Sequence, residues 1–412
     1  MCAAVHRSGR AGRSLAPWAR TALQAAAVAV FVQAPTSAEL YKYVPNHQPR
    51  LLSILTIVVT FAGALALFTS LERFEGWRRV AGSRTVTVIL LAAVTAVSPF
   101  AFEVWAHHLP RGTSASEVVQ AMTLPVHALL HGRQLYDVTL TAGVAASPGP
   151  GWIILNAPFT LVHASWLLIP FWLTATAVVT RIAYGRGLEV NAALVLLFVS
   201  PHFVRMLAEG QDLLIVPCAL IVTVVTTSRW VRSVPTAVIL GVFAGVVATS
   251  RLIYIAFPVV LAMIAWRRSR REAVAVGMVG FGVAAVANVV AAIGIHPYPP
   301  AHLFGRAGIR EPAVNIAVGA AVTTVVVVGL IVRYVRRDDG SWLYWLAGAW
   351  AVAHGFIGLG ELAGVHWSFK YWEGANYAFV GAVPMVAGIM LWRARSAPVP
   401  ARPYEPVVTD RV

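Results

Sequence analysis

Apolar residues run through this chain in long stretches, and polar residues are confined to the intervals between them. Stretches of roughly 17 to 25 apolar residues match the length a helix needs to cross a hydrocarbon layer about 30 Å thick. They fall at about 18–34, 51–70, 86–106, 153–182, 188–206, 212–228, 235–249, 252–266, 273–294, 313–333, 341–360 and 376–393. The pattern predicts an all-α, polytopic membrane protein of about twelve spans. A β-barrel would show short alternating strands instead. The longest polar interval, 107–151, reads HHLPRGTSASEVVQAMTLPVHALLHGRQLYDVTLTAGVAASPGPG and predicts a large loop.

The basic residues test this reading independently. With the N-terminus inside, one side collects Arg73, Arg78, Arg79 and Arg84, then Arg181 and Arg186, Arg229 and Arg232, and Arg267, Arg268, Arg270 and Arg271. Arg333, Arg336 and Arg337 follow on that side, and Arg393 and Arg395 close the series. All fall on one face, as the positive-inside rule expects. The reading is therefore a multi-pass protein of the plasma membrane with both termini cytoplasmic. Residues 1–17 form a basic tail, and the Pro-rich segment 395–412 is expected to be disordered.

Composition narrows the classes further. Hydrophobic residues make up 58% and charged residues 12%, which excludes an ordinary soluble domain. The net charge of +15 does not indicate nucleic acid, because the cations sit in short loops between apolar runs, a distribution that suits an anionic lipid surface. Cys2 and Cys218 support neither a disulfide framework nor a zinc site. There is no Walker-type loop and no G-x-G-x-x-G after a strand, so no nucleotide cofactor is expected.

The remaining polar chemistry gathers on the face opposite the basic clusters. It comprises Glu39, the loop around Glu117, the turn with Glu209, Gln211 and Asp212, the loop with His296, His302, Arg306, Arg310 and Glu311, and the loop with Glu361, His366, Lys370 and Glu373. Arg251, in TSRLIY, is a cation at the outer end of a helix with no carboxylate beside it in sequence. A charge there calls for a partner, such as a lipid phosphate, a carboxylate of another loop, or outer headgroups reached by snorkelling. Ser114 followed by Glu117 fits a capping box opening a short helix that ends at Pro125 or at Gly132. Glu117 then either caps its own helix or serves as a general base, and one carboxylate can do both. His127 and His131 have a zinc-compatible i, i+4 spacing but no evident third ligand, so no metal is expected. Asp338 and Asp339 are adjacent on the basic side, where they offset Arg336 and Arg337.

Several segments together resemble the membrane glycosyltransferases of the C-type fold, most closely the actinobacterial mannosyltransferases that use polyprenyl-phosphate mannose. The run from Glu117 through HALLHGRQLYDV to SPGPGWIILNAPFTLV is similar to that family's first large outer loop, with the Gly132–Tyr136 turn at corresponding spacing. EGQDLLIVPCALI resembles its Gly-Gln segment, GVFAGVVATSRLIYIAFPVVL its donor-phosphate cation, and HWSFKYWEGANYAFVGAVP its final loop. The resemblance implies Glu117 as base, with Glu103 the next carboxylate if the alignment shifts. It implies Arg251, His366, Lys370, Gln211 and Tyr136 as donor phosphate or sugar contacts. The partners implied are a polyprenyl phosphate sugar donor and an envelope glycolipid or glycan acceptor. Because the family's loop usually follows the first helix and here follows the third, residues 18–85 become an added helical pair and 86–394 the core. A lipid or lipid-linked sugar translocator and a non-catalytic membrane subunit are the rival classes.

Overall fold

A computed structural model describes residues 16–44, 48–108, 114–141, 148–185, 187–251, 257–295, 298–301, 360–371 and 375–380, with isolated positions at 143, 146, 254, 358, 382, 383, 386, 389, 390 and 393. Within these residues the protein is helical and has no β-strand. The helices are α1 (Pro17–Gln33), α2 (Thr36–Tyr43), α3 (Gln48–Arg73), α4 (Glu75–Ala81), α5 (Arg84–His108), α6 (Ser114–Leu130) and α7 (Pro150–Leu161). They continue with α8 (Leu168–Tyr184), α9 (Gly187–Phe198), α10 (Pro201–Glu209), α11 (Asp212–Trp230), α12 (Val234–Ala248), α13 (Phe257–Trp266), α14 (Arg270–Ala292) and α15 (Ala375–Val380).

Among the described residues, five helical segments are long and apolar enough to cross a membrane: Gln48–Leu71, Arg84–Val104, Ser165–Tyr184, Leu213–Trp230 and Arg270–Ala292. A sixth is reached if the bent pair α9 and α10 counts as one span. The chain is thus a helical, multi-pass membrane protein by length and composition. The runs at 313–333 and 341–360 lie outside the described residues except for isolated positions at 358 and 360. The run read as one span at 153–182 is two helices, α7 and α8, parted by a turn in which His163 takes a left-handed φ of 54°. The run at 188–206 breaks at Ser200-Pro201 with an 88° bend. Proline removes a donor from the helix ladder and holds the preceding residue extended, and Ser200 has φ −91° and ψ 118°.

The most buried span is α11, with 72% of its most apolar window inside the protein against 17–39% for the other four. Its residues Leu214, Ile215, Leu220 and Val224 are fully enclosed. On α3, α5 and α14 the outward residues, such as Leu51, Val59, Ile89, Met278 and Val289, are exposed and apolar, which suits a lipid-facing surface. Close packing of α12 on α14 relies on Gly245, where a Cβ would come 2.6 Å from the Gly280 carbonyl oxygen.

The ends of the bundle differ in chemistry. At one end Arg181 donates to the Gly82 carbonyl (3.0 Å) and to Thr87 Oγ1 (2.6 Å). Asn191 donates to the Ala81 carbonyl (2.7 Å), and the Arg229 guanidinium lies 4.6 Å from the centre of the Tyr184 ring. This is the end at which the predicted basic loops 73–84, 181–187 and 229–232 meet. The helix α3, of 26 residues and about 39 Å, runs from there to the opposite, polar end.

Candidate functional site

Two helix breaks meet about halfway along α3, at the level of Thr60, on the way to the polar end. Between α1 and α2 the chain turns at Ala34-Pro35, and between α9 and α10 at Val199-Ser200. Each break frees carbonyl groups, which are satisfied across the seam. Gln33 Nε2 donates to the Val199 carbonyl (3.0 Å) and to Thr60 Oγ1 (2.9 Å), Thr36 Oγ1 to Gln33 Oε1 (3.0 Å), and Ser200 Oγ to the Val32 carbonyl (2.9 Å). Buried backbone groups must find such partners, so the seam fixes α2 against α10.

Beyond the seam lies a buried network of ionisable groups. His202, Arg205 and Glu209 stand at i, i+3 and i+7 of α10 and so share one face. Glu39 comes from α2. Glu39 Oε1 accepts from His202 Nδ1 (3.1 Å) and pairs with Arg205 Nη1. Arg205 Nε donates to Glu209 Oε1 (2.7 Å), and Gln211 Nε2 to Glu209 Oε2 (2.6 Å). His202 and Glu209 are fully enclosed, and Glu39 and Arg205 are 7% and 8% exposed. Burial raises the Glu39 carboxyl, but the hydrogen bond from His202 and the charge of Arg205 outweigh it and hold the group below its ordinary value. Two polar atoms of the network, Glu39 Oε2 and His202 Nε2, are buried without a hydrogen-bond partner among the described residues. Phe379 of α15 covers the imidazole at 5.2 Å between ring centres, and Phe369 stacks on Tyr41 of α2 at 5.4 Å.

A second cluster forms where the 131–150 loop meets α12. The helix α6 continues through Pro125 and ends at Leu130, and Gly132, with a φ of 67°, turns the chain back. Tyr136 is buried and donates to the Pro148 carbonyl (2.9 Å), and Gly149 N–H donates to the Ser250 carbonyl (2.9 Å). The approach to α12 excludes side chains. A Cβ at Gly149 would lie 1.8 Å from the Thr249 carbonyl oxygen, and one at Gly151 1.8 Å from that of Val246. Arg251 thus follows directly on the residue that holds the loop, close enough for its charge to act on Tyr136. Burial and the neighbouring Tyr298 raise the Tyr136 phenol well above its ordinary value, with Arg251 opposing. The two tyrosine rings meet edge to face at 5.6 Å, and Tyr298 donates to Asn288 Oδ1 (2.9 Å).

The residues expected from the sequence divide accordingly. Tyr136 and Arg251 are brought together, and Gln211 joins the buried network rather than an open surface. His366 and Lys370 are exposed on the 360–371 segment, which packs on α2 through Phe369. His366 and Trp367 take left-handed φ values of 52° and 61° at a helix end, with Trp367 N–H returning to the Leu362 carbonyl (2.8 Å). Glu117 lies in the first turn of α6, but its side chain is outside the described residues, as are those of His302, Arg306, Arg310 and Glu311. Glu103 is exposed on α5. His131 Nδ1 lies 2.7 Å from the His127 carbonyl, so one of its nitrogens is engaged within the helix end.

His202, Arg205 and Tyr298 were not anticipated. A signal for the first two was present, since an imidazole and a guanidinium inside a predicted span mark an intramembrane polar site. Comparison with protein-family models, with curated proteins and with solved structures finds no match.

Proposed function

We propose that this protein is a membrane-embedded transferase that moves a sugar, mannose on the resemblance, from a polyprenyl phosphate carrier to a hydroxyl of an envelope glycolipid or glycan. The observation that carries the reading is the lock between the 131–150 loop, closed on itself by the Tyr136–Pro148 hydrogen bond, and the Arg251 turn, which the loop reaches through the Gly149–Ser250 hydrogen bond. In this reading the polar end faces outward and both termini are cytoplasmic. Arg251 and Lys370 stabilise the charge that develops on the departing phosphate, and a base at the same end takes the acceptor proton. Glu117 is the base the resemblance implies, and Gln211, Tyr136 and His366 complete the donor contacts.

The test is transfer of radiolabelled mannose from polyprenyl phosphomannose to an envelope lipid extract, by purified protein in lipid. Transfer that is lost in Arg251→Gln and reduced in Lys370→Gln supports the reading. Absence of transfer by the wild type, with lipid phosphate still bound, overturns it. One observation favours a translocator instead: two proline-broken helices pair beside a buried ionisable network, an arrangement found where transporters bind substrate and ions. Movement of fluorescent polyprenyl phosphate across vesicles without sugar transfer would select that second reading.

A further inference from the structure

The Glu39–His202 pair has the form of a carboxylate–imidazole dyad. An ionised carboxylate has no proton to give, so the 3.1 Å contact makes Nδ1 the donor, and in the neutral imidazole this leaves the lone pair on Nε2. Arg205, held in turn by Glu209, keeps Glu39 in place and charged. Gln211 fixes Glu209 from its other oxygen. The imidazole is thus oriented by a chain of four polar side chains, and its Nε2 and Glu39 Oε2 are enclosed without a partner among the described residues. Buried polar atoms are nearly always paired, so two orphan atoms on the two members of one dyad indicate a site that receives a donor from elsewhere. The neighbouring groups that face it are Arg205 and Glu209 on α10, Glu39 on α2, and the uncharged Phe379 on α15. Nothing among the described contacts competes with a hydroxyl for Nε2.

We propose that His202, held by Glu39, is a proton-accepting catalytic site for a hydroxyl-bearing substrate. Assigning that hydroxyl to the sugar acceptor rests on the transferase reading above and puts His202 in place of Glu117 as the base, whereas the proton-accepting role of Nε2 does not rest on that reading. In the transfer step the acceptor O–H bond breaks and its proton passes to Nε2. The oxygen lone pair forms the new bond to the anomeric carbon. The bond from that carbon to the phosphate oxygen breaks, and its electron pair leaves on polyprenyl phosphate. The imidazolium then returns its proton to solvent. The arrangement of carboxylate, imidazole and free Nε2 serves the same end in hydrolytic triads, where the carboxylate fixes the tautomer.

The experiment uses the full chain in lipid nanodiscs, treated with diethyl pyrocarbonate at neutral pH and read by site-resolved mass spectrometry. The exposed His127 and His131 serve as internal references. His202 is expected to be modified in the wild type, and this modification is expected to be lost in Glu39→Gln while the references still react. Where transfer is measurable, His202→Gln should lower kcat by on the order of a hundredfold or more, with the donor KM unchanged and Glu39→Asp retaining part of the activity. The proposal is overturned if His202 stays unmodified while both references react fully, or if folded His202→Gln transfers like the wild type. If His202→Gln does not fold, labelling of the wild type decides. If the wild type labels at His202 but transfers no sugar, the proton-accepting site stands and the transferase reading falls.

Discussion

Arg205→Met removes the one guanidinium that bridges Glu39 and Glu209, and it does so where Arg205 and Glu39 are less than a tenth exposed and Glu209 is fully enclosed. Two charge-assisted hydrogen bonds disappear, each contributing about 1.5–3 kcal/mol. Recovery of the guanidinium's own desolvation offsets part of this, and breaking a buried ion pair from one side typically destabilises by about 3–5 kcal/mol. A loss of that size is expected at pH 8. Its pH dependence follows from Glu39. In the wild type the carboxyl is held below its unfolded value, so its contribution is present above that value and is lost as pH falls through the lower, folded one. Without the guanidinium, burial dominates, Glu39 takes up a proton at higher pH, and the deficit of the variant narrows as pH falls from 8 to 5. The assay is equilibrium unfolding in mixed micelles at both pH values, with Glu39→Gln/Arg205→Met/Glu209→Gln as a neutral control. That triple variant should recover much of the loss, since replacing a whole ionic network is often nearly neutral. A single variant within about 0.5 kcal/mol of wild type at pH 8, the range of an ordinary surface substitution, would refute the reasoning.

Three further outcomes can be measured separately. Gly151→Ala forces a Cβ against the Val246 carbonyl and should destabilise by about 3 kcal/mol, read as a lowered Tm, whereas Gly282→Ala, where a Cβ meets nothing within 4 Å, should not. Tyr136→Phe leaves the Pro148 carbonyl unpaired and should lower stability by about 1–3 kcal/mol, with faster hydrogen exchange at Gly149 as the local signature. Arg251→Gln should weaken binding of polyprenyl phosphate by about tenfold or more in nanodiscs, while Arg133→Gln on the exposed loop leaves it unchanged.

Much of this molecule can be read from its one-dimensional pattern because partition into lipid is nearly a local property. A helix of apolar residues satisfies its own backbone, so Gln48–Leu71, Arg84–Val104 and Arg270–Ala292 are visible without any tertiary information. The placing of arginines is legible for the same reason, and the basic loops at 73–84 and 181–187 do meet at one end. Counting crossings in the sequence assigns Glu39, Glu117, Glu209 and Lys370 to a common face as an expectation. The Gly132–Tyr136 turn and the Gly-Pro-Gly segment are recognisable because φ above zero and close backbone approach restrict the residue type.

Pairing is different in kind. Hydropathy averaged over a run conceals His202 and Arg205 among the apolar residues of 188–206, and nothing near them in sequence announces a partner more than 160 residues away. That Pro201 interrupts a helix is local knowledge. That the chain then turns by 88° depends on Gln33 and Ser200 crossing to each other's freed carbonyls. Exclusion of water makes these long-range bonds obligatory, because a charge or carbonyl that lipid cannot solvate must be met by whichever side chain the folded bundle brings to it.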